Sequence, residues 1–318
     1  MDICVVGLPK SGKTSILKVI FQRMGPQYTM MLDPTLKVET ITKSFGSYVQ
    51  INIHDFPGGF DFKDANPPEI TILENCGAMI YIIDVQAEPY SDAISYLISC
   101  MKFLLKINPK IICKVFLHKT DAEAFIGEDR KTDTLKQIKD SIQSELEPAG
   151  LKNVQLDYHL TTVYDHTLIE SFSKVVQKII PNVSYIVGLL DSLITNCKME
   201  KAFLFEMISK TYLASDSTPV EAQNYAICSD MIDVVIDVTY LYGLKNSKES
   251  LNFDEKTESV IKLANSTILY YKQIEKYLAL ICIIKDSNFD RPFLIDYNID
   301  IFKQGLNEVF KVSKKKVQ

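Results

Sequence analysis

Over residues 1–181, short apolar runs alternate with amphipathic stretches. "ICVVG" precedes "SGKTSILKVIFQRM", "YVQINIHDFPG" precedes a loop and helix, and "GAMIYIIDV" precedes "SDAISYLISCMKFLLKI". The pattern continues with "IICKVFLHKTD" before "DTLKQIKDSIQSELEPAG" and "VQLDYHLTTV" before "SFSKVVQKII". Such alternation predicts a doubly wound α/β layer with its sites at the carboxyl ends of the strands. Pro181-Asn182 ends the last of these helices, and the pattern changes after it. Over 182–318 it predicts a helix ("YIVGLLDSLITNC"), two short strands, a long helix stopped by Gly243, three more strands and a closing helix from about Pro292 to Val312. That order predicts an α+β module with one antiparallel sheet.

Composition supports two ordinary globular domains: 318 residues, 47% hydrophobic and 24% charged, suffice for two cores. A net charge of −5 excludes general nucleic-acid binding, which needs a concentrated basic surface. The one basic run, Lys314–Lys316, reads as a solvated tail. Seven scattered cysteines without a paired spacing read as buried reduced thiols rather than a disulfide framework or zinc site. The apolar runs are too short for a membrane span, and neither end carries a lipidation signal, so a membrane role would need recruitment by partners.

The chemistry begins at "GLPKSGKTS", a Gly7-x-x-x-x-Gly12-Lys13-Thr14 loop between a strand and a helix. Its backbone N–H groups, including those of Lys10, Ser11 and Ser15, suit phosphate oxygens; Lys13 reaches the β and γ oxygens, and Thr14 offers a hydroxyl to Mg²⁺. Asp55 and Gly58 of "DFPG" stand where a carboxylate supports the magnesium and a glycine N–H meets a γ-phosphate, although that tetrapeptide alone also reads as a turn. The segment "MMLDPTLKVET" must supply a threonine to close on metal and phosphate, and Thr35 is preferred to Thr40 and Thr42. In "HKTD", Asp121 can accept two hydrogen bonds from a guanine edge, which adenine lacks, while the Lys119 stem lies along the base beside His118. Thr162, after the strand "VQLDYHL", would contact the base through its main-chain N–H. Together these predict GTP and GDP as ligands, with Mg²⁺ held by Thr14, Thr35 and Asp55.

The motifs in this order resemble those of a Ras-like GTPase, and "VVGLPKSGKTSILKVIF", "DFPG", "HKTD", "YDHTLIESFSKVVQKIIP" and "EKAFLFEMISKTYLASDSTPVEAQNYAICSDMIDVVIDV" resemble the Rag GTPases of the C/D type. The resemblance covers nearly the whole chain. It implies a Ras-like domain over 1–181 and a roadblock-type, longin-like dimerisation domain over 182–318. It also implies a heterodimer with an A/B-type Rag, docking on a lysosomal or vacuolar scaffold, and nutrient signalling to the TOR kinase complex.

Gly59 stands where many GTPases carry the glutamine that orients attacking water, and Pro9 replaces a usual phosphate-loop glycine. No side chain is therefore assigned a catalytic role, and hydrolysis is expected to be slow or partner-dependent. The alternative is a scaffold that binds nucleotide without turning it over. A P-loop small-molecule kinase is disfavoured because no arginine-rich lid lies between Thr14 and Pro181. His54 reads as a satisfied core residue, and His159 and His166 flank the base loop without metal-ligand spacing. Asp230, Asp233 and Asp237 read as the polar face of a helix whose Met231, Val234, Val235 and Val238 turn inward.

Overall fold

The expected alternation becomes a six-stranded sheet in the computed structural model, which describes residues 1–122, 125, 127–151, 154–242 and 256–315. Its strands are β1 (Asp2–Gly7), β2 (Glu39–Phe45), β3 (Val49–Asp55), β4 (Cys76–Asp84), β5 (Ile112–His118) and β6 (Asp157–Thr161), in the order β2-β3-β1-β4-β5-β6. β1 runs parallel to β3 and β4, β4 to β5, and β5 to β6. Parallel neighbours require crossovers, and these are α1 (Lys13–Gln22), α2 (Pro67–Asn75), α3 (Ser91–Ile107) and α4 (Glu128–Leu146), while α5 (Thr167–Ile179) follows the last strand.

Strands covered on both faces must be apolar at every position, and Ile3, Cys4, Val5 and Val6 of β1 are all fully buried, as are Ala78 to Ile83 of β4. The helices instead bury one stripe. Ile16, Leu17, Ile20 and Phe21 of α1 and Ile94, Leu97, Ile98, Met101 and Leu104 of α3 recur at helical spacing and are buried. Each such side chain contributes about 1.5–3 kcal/mol of hydrophobic stabilisation, so the stripe and not intrinsic propensity decides where these helices form.

β2 is a strand that the apolar runs of the sequence do not announce. "ETITKSF" is polar or exposed along most of its length, as an edge strand permits, and so lacks the apolar run that marks the others. α4 also begins at Glu128, ahead of the expected "DTLKQ" start, because its first turns are charged and carry no apolar stripe.

The chain divides into two compact units, Met1–Lys43 with Gln50–Ser171, and Ser44–Val49 with Phe172–Gln318. Beyond α5 come α6 (Val183–Cys197), β7 (Met199–Glu206), β8 (Tyr212–Ser215), α7 (Ala222–Tyr242), β9 (Glu258–Lys262), β10 (Thr267–Glu275), β11 (Leu278–Lys285) and α8 (Pro292–Lys315). The five strands form a sheet ordered β8-β7-β11-β10-β9, in which each of these neighbouring pairs is antiparallel. The expected stop at Gly243 and the end of the basic run at Lys316 lie outside the described residues.

One expectation for α7 fails. Met231 and Val235 are buried, but Val234 and Val238 are 48% and 50% exposed. A helix turns 100° per residue, so a stripe centred on 228, 231, 232, 235 and 236 leaves 234 and 238 on the flank, where Asp230 and Asp237 also face outward. Asp233 pairs with Lys210. Among the described residues, no single helix is long and apolar enough to cross a membrane.

Candidate nucleotide site

The carboxyl ends of β1, β3, β4, β5 and β6 lie side by side, because each strand is in register with its neighbour there: Val5 with Asp55, Gly7 with Ile82, Asp84 with His118, and His118 with Thr161. Residues far apart in sequence thereby reach one edge of the sheet.

The phosphate loop turns from β1 into α1 between Gly7 and Gly12. Gly12 has φ +99°, and a Cβ there would meet His118 Cδ2 at 2.8 Å, so both the backbone conformation and the close approach require glycine. Lys10 takes the left-handed conformation at φ +63°, and Ser15 stands on the first turn of α1. The Lys13 ammonium donates to the carbonyls of Gly7 at 3.1 Å and Leu8 at 3.0 Å, which holds the charge across the mouth of the loop. Burial lowers the Lys13 pKa, and the charge of Asp55 opposes that shift.

Beside the loop, three oxygens converge. The Thr14 hydroxyl donates to Asp55 Oδ2 at 2.5 Å and lies 2.7 Å from Thr35 Oγ1, while Thr35 Oγ1 is 3.4 Å from Asp55 Oδ2. Thr40 instead bonds His54 and Thr42 bonds Asn52, both on the β2–β3 ladder, so of the three candidate threonines Thr35 is the one brought to Asp55. Burial raises the Asp55 pKa, opposed by the Thr14 hydroxyl and the Lys13 charge. Asp55 Oδ1 and Ser11 Oγ are buried without a hydrogen-bond partner. A buried carboxylate oxygen left orphaned beside two hydroxyls is a hard, all-oxygen donor set, and it fits Mg²⁺.

Past Asp55, the backbone folds against the phosphate loop. Gly59 N–H donates to the Gly7 carbonyl at 3.1 Å, and a Cβ on Gly58 would fall 2.5 Å from Pro9 Cα. Pro9 therefore fills the space above Gly58, which only a residue without a side chain tolerates. Gly59 sits at φ +69° in ordinary contact distance of Pro9.

On the other side of the loop, buried His118 bonds Thr161 Oγ1 at 3.0 Å through Nδ1. Burial first, and the Lys119 charge second, lower its pKa to about 4, so the ring is neutral near pH 7. Lys119 is left-handed at φ +67°, and its ammonium reaches the Lys10 carbonyl at 2.9 Å. Asp121 is exposed at the edge of the cleft, with Oδ1 accepting from the Thr162 hydroxyl at 2.7 Å. Here Thr162 differs from expectation: its N–H points to Thr167 Oγ1 at 3.4 Å, and its hydroxyl braces Asp121. The strand register and these hydrogen bonds bring the phosphate loop, Thr35, Asp55, His118, Lys119, Asp121 and Thr162 to one edge of the sheet.

Two neighbours were not foreseen. Asp84 pairs with Lys119 at 2.5 Å and Gln86 Nε2 donates to the Lys119 carbonyl at 2.8 Å. No sequence spacing announces them, since only the sheet order places the end of β4 beside that of β5. Two other histidines hold structural positions: His54 is satisfied by Thr40 and Asp2, and His159 packs edge-on against Phe116.

Residues 2–232 match the family described as "Gtr1/RagA G protein conserved region". The chain is 43% identical over 310 residues to "Ras-related GTP-binding protein C" of Mus musculus, covering 98% of this chain and 77% of that protein. It is 42% identical over 316 residues to "Ras-related GTP-binding protein D" of the same organism, covering 99% and 70%. "GTP-binding protein gtr2" of Schizosaccharomyces pombe is 38% identical over 311 residues, covering 97% of each chain.

Proposed function

The chain belongs to the Gtr1/RagA family and is a Rag-type GTP-binding protein, and from that premise we propose that it is a Mg²⁺-dependent guanine-nucleotide switch working as half of a heterodimer. The observation that carries this reading is how Thr35 is held. Its hydroxyl reaches Thr14 and Asp55, while its segment exposes Met30, Met31 and Leu36 at 81%, 83% and 86%. A segment with so little apolar anchorage is held by polar contacts at the phosphate site, and it is free to leave when those are lost.

Each group has a defined task. The phosphate loop and Lys13 receive the phosphates, the braced Asp121 carboxylate accepts from the guanine edge, and Lys119 lies along the base. Bound Mg²⁺ would supply charge neutralisation between the phosphates. Thr14, Thr35 and Asp55 would hold it, and their oxygens already converge.

Hydrolysis is slow on this reading. At position 59 no side chain exists to orient water, and Pro9 occupies the space beside it. A partner or activating protein supplies the missing group. The same observation favours a second reading, a nucleotide-bound scaffold that never turns over. Single-turnover GTP hydrolysis, measured with an A/B-type Rag and activating proteins present, decides between them: a rate above that of free GTP supports the switch, and a rate equal to it supports the scaffold.

The heterodimer forms through the second, roadblock-type unit in this proposal. Val234, Val238, Leu241 and Tyr242 recur on α7 at helical spacing and are exposed. Recruitment to a lysosomal or vacuolar scaffold, and nutrient signalling to the TOR complex, complete the proposal on family grounds.

A further inference from the structure

We propose that Asp84 and Gln86, at and just beyond the end of β4, are positioning residues that hold Lys119 for the base and thereby set how long guanine nucleotide stays bound. The inference rests on the guanine-nucleotide reading above.

Lys119 is gripped at both ends. Its carbonyl accepts from Gln86 Nε2 at 2.8 Å, and its ammonium is shared between Asp84 Oδ2 at 2.5 Å and the Lys10 carbonyl at 2.9 Å. The grip is itself fixed, because Asp84 Oδ1 accepts from the Gln86 N–H at 2.9 Å and the Val85 N–H donates to the His118 carbonyl at 3.0 Å. Residues 84–86 thus hold residues 118–119 at backbone and side chain together. Lys119 needs such support, since a non-glycine residue at φ +67° is strained and a lysine stem is otherwise free to sample many rotamers.

The consequence is kinetic. A lysine already laid across the cleft loses little entropy when a base arrives, and its bond to the Lys10 carbonyl ties the base loop to the phosphate loop. Releasing the grip lets the two loops part independently, which raises the dissociation rate more than it changes association. Asp84 acts through Lys119 and has no assigned contact with nucleotide, so its effect must vanish when Lys119 is shortened.

The test loads the chain with N-methylanthraniloyl-GDP and follows release after addition of excess GDP. The proteins compared are the parent, Asp84→Asn, Asp84→Glu, Gln86→Ala, Lys119→Ala and the Asp84→Asn/Lys119→Ala double variant. The pair is partly exposed, so Asp84→Asn is expected to speed release about two- to fivefold. Gln86→Ala, which removes one exposed hydrogen bond, should speed it less, Asp84→Glu should recover part of the parental rate, and Asp84→Asn should add nothing in the Lys119→Ala background. Parental rates in both Asp84→Asn and Gln86→Ala, or an Asp84→Asn effect of full size without the Lys119 side chain, overturn the inference alone. A parent that takes up no guanine nucleotide overturns this inference together with the reading beneath it.

Discussion

The Thr162 hydroxyl donates to Asp121 Oδ1 at 2.7 Å, so one oxygen of the base-reading carboxylate is fixed by a neighbour at the end of β6. Hydrogen bonds to charged groups contribute about 1.5–3 kcal/mol when both partners are held. Thr162→Val keeps the shape and removes the donor. GDP affinity, measured by fluorescent-nucleotide titration, should fall roughly tenfold or more. Unchanged affinity would mean that Thr162 does not brace the base site.

Asp55 is a buried carboxylate whose ordinary charged form is disfavoured by desolvation. Its folded pKa is raised, so its favourable contribution to folding is present below the unfolded value and lost as pH rises through the folded one. At pH 7 the ionised group therefore costs stability in the nucleotide-free chain. Asp55→Asn should raise the melting temperature of that form at pH 7, while abolishing the further increase that Mg²⁺ and GTP give the parent. A variant that melts lower without nucleotide, or still responds to Mg²⁺, contradicts the assignment.

His118 has the opposite sign. Its pKa falls to about 4 in the folded chain, so stability is lost as pH drops below the unfolded value near 6.5, because the unfolded chain takes up the proton first. The loss by pH 4 is about 3 kcal/mol. His118→Asn should remove that slope. Denaturant unfolding of both proteins between pH 7 and pH 4 measures it as a difference, in which the Asp55 contribution cancels.

Gly59 invites replacement by the glutamine that other GTPases carry. Space is not the obstacle, since a Cβ would lie 3.6 Å from Pro9 Cδ; the dihedral is, at φ +69°. Gly59→Gln should cost about 1 kcal/mol in folding stability and should not by itself restore fast single-turnover hydrolysis, because a left-handed backbone disfavours holding any side chain in one fixed pose there. Fast hydrolysis without a partner would show that the missing side chain alone limits the rate.

The sequence carried most of this site because phosphate and base loops are short and their spacing is fixed by backbone geometry. Gly7 to Thr14 is such a loop, and it follows directly from the strand Ile3–Val6. The alternating apolar runs carried the order of strands and helices in both units for the same reason: buried parallel strands cannot be polar. What escaped depended on partners in space. β2 is an exposed edge and has no apolar signature. Val234 and Val238 were assigned inward from apolarity alone, although the buried stripe of α7 is centred one position away. Asp84 and Gln86 acquire a role only because β4 pairs with β5.

Guanine selectivity rests on Asp121, at the edge of the sheet that also carries the phosphate loop and the Thr14–Thr35–Asp55 oxygens. It is tested most directly by identifying the nucleotide retained by the purified chain and then competing GTP, ATP and xanthosine triphosphate against it, in the parent and in Asp121→Asn. The expected result is bound GDP or GTP, exclusion of ATP, and a shift of Asp121→Asn toward the xanthine nucleotide, because the acceptor oxygen becomes in part a donor. ATP competing as well as GTP in the parent, or an Asp121→Asn variant with unaltered preference, would contradict it.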